Sequence, residues 1–220
     1  MSDINFIREI LLPPLLEGTV VTLKLIVASI PLGLILGILI AVGRVYGNRL
    51  ISSFCTIYTL FFRGTPLLVQ LFILYYGLPS IGIFFSPLIA AVLGFIFCSG
   101  AYHSEYVRGA IQSIKSGQMM AAEALGMNKF KAILFIILPQ ALRRAIPGCS
   151  NEIIYLVKYS SLAYMVTCIE LTGAGKIIAS RYFEYTEVFM VVGAIYLLMV
   201  SVVTKALNRL EKKLEIPGLG

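Results

Sequence analysis

Glu152 and Lys158 are opposite charges in a stretch, 151 to 171, that is otherwise mostly apolar, with Asn151 before them and Ser160 and Ser161 behind. A carboxylate and an ammonium in such company suit reversible recognition of a charged molecule. Six positions apart, they do not share one helix face, so a bent helix or separate roles is required. The alternative is that Lys158 pairs structurally with a carboxylate elsewhere in the chain. Gln70 is a second isolated polar group, either lining a pocket or packed. Glu105 and Arg108, at i and i+3, suit an intrahelical ion pair that is either architecture or a binding contact. Covalent chemistry lacks its parts. His103 is the sole histidine, and Cys55, Cys98, Cys149 and Cys168 are scattered among apolar neighbours without CxxC spacing. The cysteines read as small buried hydrophobes, and no metal site is expected.

The elements that position these groups follow from composition. Of 220 residues, 59% are hydrophobic and 13% charged, with a mean hydropathy of +0.91. A soluble domain carries about 25% charged residues, so the solvent for most of this chain is a bilayer. The first residues include Asp3, Arg8, Glu9 and Glu17, unlike the basic start of a signal peptide. About 20 apolar residues cross the hydrocarbon core, and the pattern predicts one domain over 1–220 with five spans, at about 19–42, 66–85, 87–107, 153–171 and 188–204. Gly33 and Gly37 in the first give a small-xxx-small face for close helix contact. Between the first two spans, Leu50, Ile51, Phe54, Ile57, Tyr58, Phe61 and Phe62 recur at helical spacing, which predicts a helix lying in the interface. Pro66 then breaks the chain.

Charge sets the orientation. Arg44, Arg49 and Arg63, the cations between 108 and 144, and Lys205, Arg209, Lys212 and Lys213 all fall on one side of this topology. Arg8, Lys176 and Arg181 fall on the other. The asymmetry places the C-terminus in the cytoplasm and the N-terminus outside. It also accounts for the net charge of +7 without nucleic acid.

The polar region 108–144 is the largest interruption. Gln118 to Gly126 are good helix formers ended by a glycine, and Lys129 to Leu138 is amphipathic up to Pro139. The pair predicts a helix, a turn and a second helix at the cytoplasmic surface. It is either an ordinary loop folded on its own bundle or a surface recognised by something in water.

These residues resemble the cytoplasmic signature of ABC importer permeases: Glu-Ala-Ala, three residues, Gly, nine residues, then Ile-x-Leu-Pro. Anchored on Gly126, Ala121 and Ala122 are in place, as are Ile136, Leu138 and Pro139. Met120 stands at the family's glutamate, and Glu123 lies one turn later. "TVVTLKL", "FRGTPLLVQLFILYYGLP" from Phe62, "SEYVRGAIQSIKSGQ" from Ser104, "LPQALRRAIPG" from Leu138 and "NEIIYLVKYSSLA" from Asn151 extend the resemblance along the chain to the polar amino acid subfamily.

The resemblance implies an all-α, type I ABC importer permease fold with five spans plus cytoplasmic coupling helices, in the inner membrane. It implies a second permease subunit, a cytoplasmic ATPase dimer, an external amino acid binding protein and lipid as partners. Met120, Ala121, Ala122, Glu123, Gly126, Lys129 and Pro139 would couple to the ATPase. Asn151, Glu152, Lys158, Ser160, Ser161 and Gln70 would line the pathway, with Glu152 and Lys158 complementing a zwitterion. Relatives commonly place aspartate after the lysine, where this chain has Tyr159. Glu170, Lys176, Arg181, Glu184 and Glu187 are candidates for docking the binding protein, or a solvated loop. Nucleotide chemistry is expected in the partner, with ATP and Mg bound there, because the chain lacks a G-x-x-x-x-G-K-[ST] loop. Its only Gly-Lys, Gly175-Lys176, has Glu170 and Ile177 at the flanking motif positions. The competing reading is a stand-alone ion-coupled carrier or channel.

Overall fold

The computed structural model describes residues 6–214, so Asp3 and the two ends of the unit expected over 1–220 lie outside the described residues. The described chain is helical, with no strand in it. A π turn over Phe6–Leu11 leads into α1, Leu12–Tyr46. Pro13 and Pro14 sit at its start, where a missing N–H costs nothing. At 1.5 Å per residue this helix is about 53 Å long, well beyond a ~30 Å hydrocarbon core.

Asn48 ends the link to α2, Arg49–Gly64, by accepting a hydrogen bond from the Ile51 N–H at 2.9 Å. The amphipathic helix expected here is present with its apolar residues outward. Leu50, Phe54 and Ile57 are exposed while Cys55 and Thr59 are buried, an arrangement suited to lipid as solvent. At Thr65 and Pro66 the chain turns by 105° into Leu67–Ile81. That segment comprises α3, Leu67–Phe72, then a π turn Ile73–Gly77 and a 3-10 turn Leu78–Ile81. The expected 66–85 span is therefore a broken element. Its punctuation is Pro66, Gly77 and Pro79, and the left-handed Gly82 (φ 82°) closes it.

α4, Pro87–Gln112, starts under a Ser86 cap and packs along α1. A Cβ on Gly37 would lie 2.5 Å from the His103 Cβ and 3.0 Å from the Gly100 carbonyl oxygen. This is the close helix contact that the Gly33 and Gly37 spacing predicts. α5, Ser116–Ala124, and α6, Lys129–Ala132, follow. A π turn Ile133–Ile137 joins α6 to α7, Leu138–Tyr159.

Two boundaries differ from the sequence reading. The helix does not stop at Pro139 or restart near 153. It runs from Lys129 through α7 because the π turn directly precedes Pro139, and Pro139 lies within the first two positions of α7, where its missing N–H is tolerated. Nor does it reach Leu171. A 3-10 turn over Ser160–Val166 ends at a left-handed Thr167 (φ 61°). α8, Leu171–Tyr182, and α9, Tyr185–Leu214, follow.

The core has three parts along the bundle. Leu25, Leu71, Phe95, Leu156 and Val166 fill the middle. Leu11, Leu15, Leu171, Ile178 and Val188 fill the end near α8. Ala41, Val107, Ile137 and Ala145 fill the end near α5.

Gly37→Leu, which drives a side chain into the α4 backbone, is expected to cost about 3 kcal/mol. Gly109→Ala, with no atom within 4 Å of the new methyl, is expected to cost under 1 kcal/mol. Thermal unfolding of the two variants in detergent, beside the parent, measures the difference.

Candidate translocation pathway and coupling surface

Glu152 is 5% exposed. Among the described residues it makes no hydrogen bond and no ion pair within 4 Å. Its α7 register turns it inward, beside a small cavity lined by Leu67, Phe95, Cys98, Ser99, Leu156 and Tyr159. A buried carboxylate in an apolar helix is costly, which makes Glu152 a candidate for the pathway. The polar hydrogens around it are committed elsewhere. The Ser99 hydroxyl donates to the Phe95 carbonyl at 2.6 Å, and the Cys98 thiol points to the Phe62 carbonyl at 4.0 Å.

Lys158 does not meet Glu152. Its ammonium lies over the Tyr155 ring, 4.3 Å from the centroid, and Tyr155 stacks on Tyr159 at 5.9 Å and 15°. Asn151 and Lys158 are exposed. Ser160 and Ser161 return their hydroxyls to the Val157 and Lys158 carbonyls at 2.7 and 2.8 Å, helping to form the break after α7. Gln70 is likewise structural. Its amide nitrogen donates to the Phe62 carbonyl, the Thr65 carbonyl and the Thr65 hydroxyl at 2.9 to 3.1 Å. It holds the 105° bend instead of lining the cavity.

Glu105 and Arg108 form the expected pair, with Arg108 Nη2 2.7 Å and Nε 3.1 Å from Glu105 Oε2. The structure adds two members that local spacing cannot reveal. Arg44, at the end of α1, donates to Glu105 Oε1, and Arg63, at the end of α2, lies 3.4 Å from the same oxygen. Arg63 is also held over the Tyr102 ring, 5.3 Å from the centroid. One carboxylate thus ties three helices together.

At the other candidate surface, α5 closes with a Schellman motif. The Met127 N–H donates to the Ala122 carbonyl at 3.1 Å and the Gly126 N–H to the Glu123 carbonyl at 2.9 Å. Gly126 takes φ 82°, a conformation that disfavours a side chain. Asn128 then caps α6 by accepting from the Lys131 N–H at 2.9 Å. Ala122 is buried against its own chain, whereas Met120, Ala121, Glu123, Leu125 and Phe130 are exposed, Leu125 to 85%. The paired alanines therefore divide: Ala121 faces outward and Ala122 supports the helix. Lys129 reaches back over the Tyr46 ring at 5.8 Å. Pro139 lines an open cleft of about 270 Å³ with Gln118, Phe135, Ile136, Gln140 and Arg143.

Glu170 leaves the group read as a docking loop, because it is fully buried. It caps α8 by accepting from the Thr172 and Gly173 N–H groups, both at 2.9 Å, and from the Tyr196 hydroxyl at 2.8 Å. Burial pushes its carboxyl up, while these hydrogen bonds pull it back. A carboxylate just ahead of Leu-Thr-Gly at a helix start is the signal that identifies such a cap. Lys176 lies over the Tyr185 ring at 5.0 Å, and Arg181, Glu184 and Glu187 are exposed. The four cysteines are buried, as read.

Removing the charge at the three-helix junction leaves three guanidinium groups facing each other. Glu105→Gln is expected to cost roughly 2 kcal/mol, between the values for exposed and buried pairs. Glu123→Gln, on an exposed side chain, is expected to be near neutral. Thermal unfolding in detergent compares the two.

Known proteins resemble this chain in sequence and fold. The nopaline transport permease NocM of Agrobacterium fabrum is 39% identical over 213 residues, covering 92% of this chain and 88% of the relative. A putative glutamine transport permease, GlnP, of Rickettsia typhi is 39% identical over 212 residues, covering 96% of both. A solved amino acid ABC transporter, crystallised with histidines, superposes with a TM-score of 0.83 at 33% identity, covering 91% of this chain and 94% of that one. The all-helical architecture is thus the type I ABC importer permease fold. The profile of binding-protein-dependent transport system inner membrane components matches residues 30–215, and the chain belongs to that family.

Proposed function

We propose that this chain is the transmembrane subunit of an ATP-driven amino acid importer. It forms part of the pathway with a second permease subunit, receives cargo from an external binding protein and is driven by a cytoplasmic ATPase pair. The observation that carries this reading is the surface around Gly126. A short helix closed by a left-handed glycine presents Met120, Leu125 and Phe130, three large apolar side chains, in a region whose flanking cations mark it as cytoplasmic. Apolar groups displayed in water call for a partner groove. A carrier acting alone has no use for them, so the stand-alone carrier or channel is not favoured.

On this reading Met120, Ala121, Glu123, Leu125 and Phe130 form the contact. Gly126 and Ala122 shape the contact from within, and Lys129 and Pro139 support its base. ATP and Mg belong to the ATPase partner, and this chain performs no hydrolysis itself. Cargo passes Glu152, whose carboxylate takes an ammonium, within a wall that includes Lys158, Tyr155 and Tyr159. Asn151 lies at the exposed edge of that wall, and Ser160 and Ser161 mark the break that ends it. The corner between α8 and α9, carrying Lys176, Arg181, Glu184 and Glu187, meets the binding protein, which places it and the N-terminus outside and the C-terminus in the cytoplasm. The nopaline and glutamine permeases among the relatives support amino acids and their derivatives as the cargo class.

Gly126→Val forces a branched side chain into a left-handed turn. It is expected to abolish copurification of the ATPase and ATP-dependent uptake in proteoliposomes, while membrane insertion persists. Uptake that continues without the ATPase subunits would rule the proposal out.

A further inference from the structure

The arginines around Glu105 are not equivalent. Arg44 and Arg108 donate hydrogen bonds to its carboxylate, and Arg108 gives another N–H to Gln112 Oε1 at 2.8 Å. Arg63 comes only to 3.4 Å and, among the described residues, donates no hydrogen bond. Its guanidinium therefore keeps its N–H groups unclaimed, and its side chain is 42% exposed. Three guanidinium groups against one carboxylate also leave two positive charges without a partner at this junction.

Arg63 is nonetheless held in place. Its guanidinium lies over the Tyr102 ring at 5.3 Å, and the Glu105 charge fixes its near edge. A planar fork stacked on a ring and short of acceptors is suited to take a carboxylate in two parallel hydrogen bonds. Tyr102, over which Arg63 lies, follows Cys98 and Ser99 of the cavity beside Glu152 by one turn of α4. Lys158, the cation nearest to Glu152 in sequence, is turned onto Tyr155.

We infer that Arg63 anchors the carboxylate of the cargo while Glu152 takes its ammonium, with the Tyr102 ring as the platform that orients the guanidinium. This deepens the amino acid pathway proposed above and rests on it. The two ends of a zwitterion are then read by two different helices, α2 and α7. The cavity beside Glu152, walled by Leu67, Phe95, Leu156 and Tyr159, receives the rest of the molecule.

The test uses the purified complex of permease and ATPase without the external binding protein, so that selectivity of the latter does not intervene. Binding of the standard L-amino acids is measured by titration calorimetry, and the tightest is compared with its α-carboxamide, which has lost the negative charge. The parent is expected to prefer the acid by at least about tenfold. Arg63→Gln is expected to erase that preference by weakening the acid and leaving the carboxamide unchanged. Arg63→Lys, which keeps the charge but not the fork, is expected to retain part of it. A preference that persists in Arg63→Gln, an equal loss for both ligands, or a preference erased by Lys158→Gln instead overturns the assignment. Glu152→Gln separates the two levels. If it abolishes binding while Arg63→Gln keeps its preference, only Arg63 is misassigned. If no amino acid binds, or binding ignores both substitutions, the pathway reading itself fails.

Discussion

The Glu105 carboxylate draws Arg44, Arg63 and Arg108 to one point, where the ends of α1 and α2 meet α4. The interfacial helix α2 has few other ties. Its apolar face is exposed, and its polar side reaches α4 through Thr59 and Ser104, 3.3 Å apart, and through the Tyr58 hydroxyl, which donates to the Phe97 carbonyl at 2.6 Å. Without the junction, the 105° bend that follows α2 would have no fixed starting direction. That bend decides where α3 enters the bundle, and Leu71 at its core is fully buried against Gly94 of α4.

The same economy governs the backbone. In hydrocarbon every unpaired N–H or carbonyl is expensive, so a helix can break only where side chains or tight turns replace its hydrogen bonds. Each break here has such a replacement. Gln70, beyond the bend, donates to the Phe62 and Thr65 carbonyls just before Pro66. Ser160 and Ser161 return hydroxyls to the backbone after α7. Glu170 accepts from the first N–H groups of α8, and Leu171 donates its own N–H to Thr22 on α1 at 3.2 Å. Gly18 permits that approach, since a Cβ there would lie 2.9 Å from the Leu171 Cα. Several polar residues at membrane depth are therefore repairs to broken helices. Glu152 is different because it repairs no break and, among the described residues, makes no hydrogen bond or ion pair.

That distinction explains what the sequence could and could not reveal. Apolar length announced the long helices, and small-residue spacing announced the seam of α1 against α4, because both signals are local. The turn at Gly126 was legible for the same reason, its geometry being contained within α5 and three following residues. Glu105 with Arg108 was visible at i and i+3, but Arg44 and Arg63 lie 61 and 42 positions from Glu105 and meet it only through tertiary packing. The six-residue spacing that denies Glu152 and Lys158 a common helix face is legible too, and on α7 it sends one toward the cavity and the other onto Tyr155. Pro139 was read as a stop because proline usually ends a helix. The π turn before it changes that outcome, and no residue in Ile133–Ile137 advertises such a turn.

The uninterrupted helix from Lys129 to Tyr159 has a mechanical consequence for the proposed importer. Lys129 begins three residues after the Gly126 turn, and Glu152 lies 23 residues further on, about 35 Å at the α-helical rise. A single packed helix thus spans the distance from the surface proposed to meet the ATPase to the carboxylate proposed to hold cargo. Its two prolines, Pro139 and Pro147, weaken its hydrogen-bond ladder in the segment near the coupling surface and leave the last three turns before Ser160 intact. Displacement of α5 therefore reaches Glu152 as movement of a rigid segment pivoting below it. Arg63 stands on a different helix, fastened to α1 and α4 through Glu105. Movement of α7 alone would change the separation of the two groups, loosening their joint hold on a zwitterion as the coupling surface shifts.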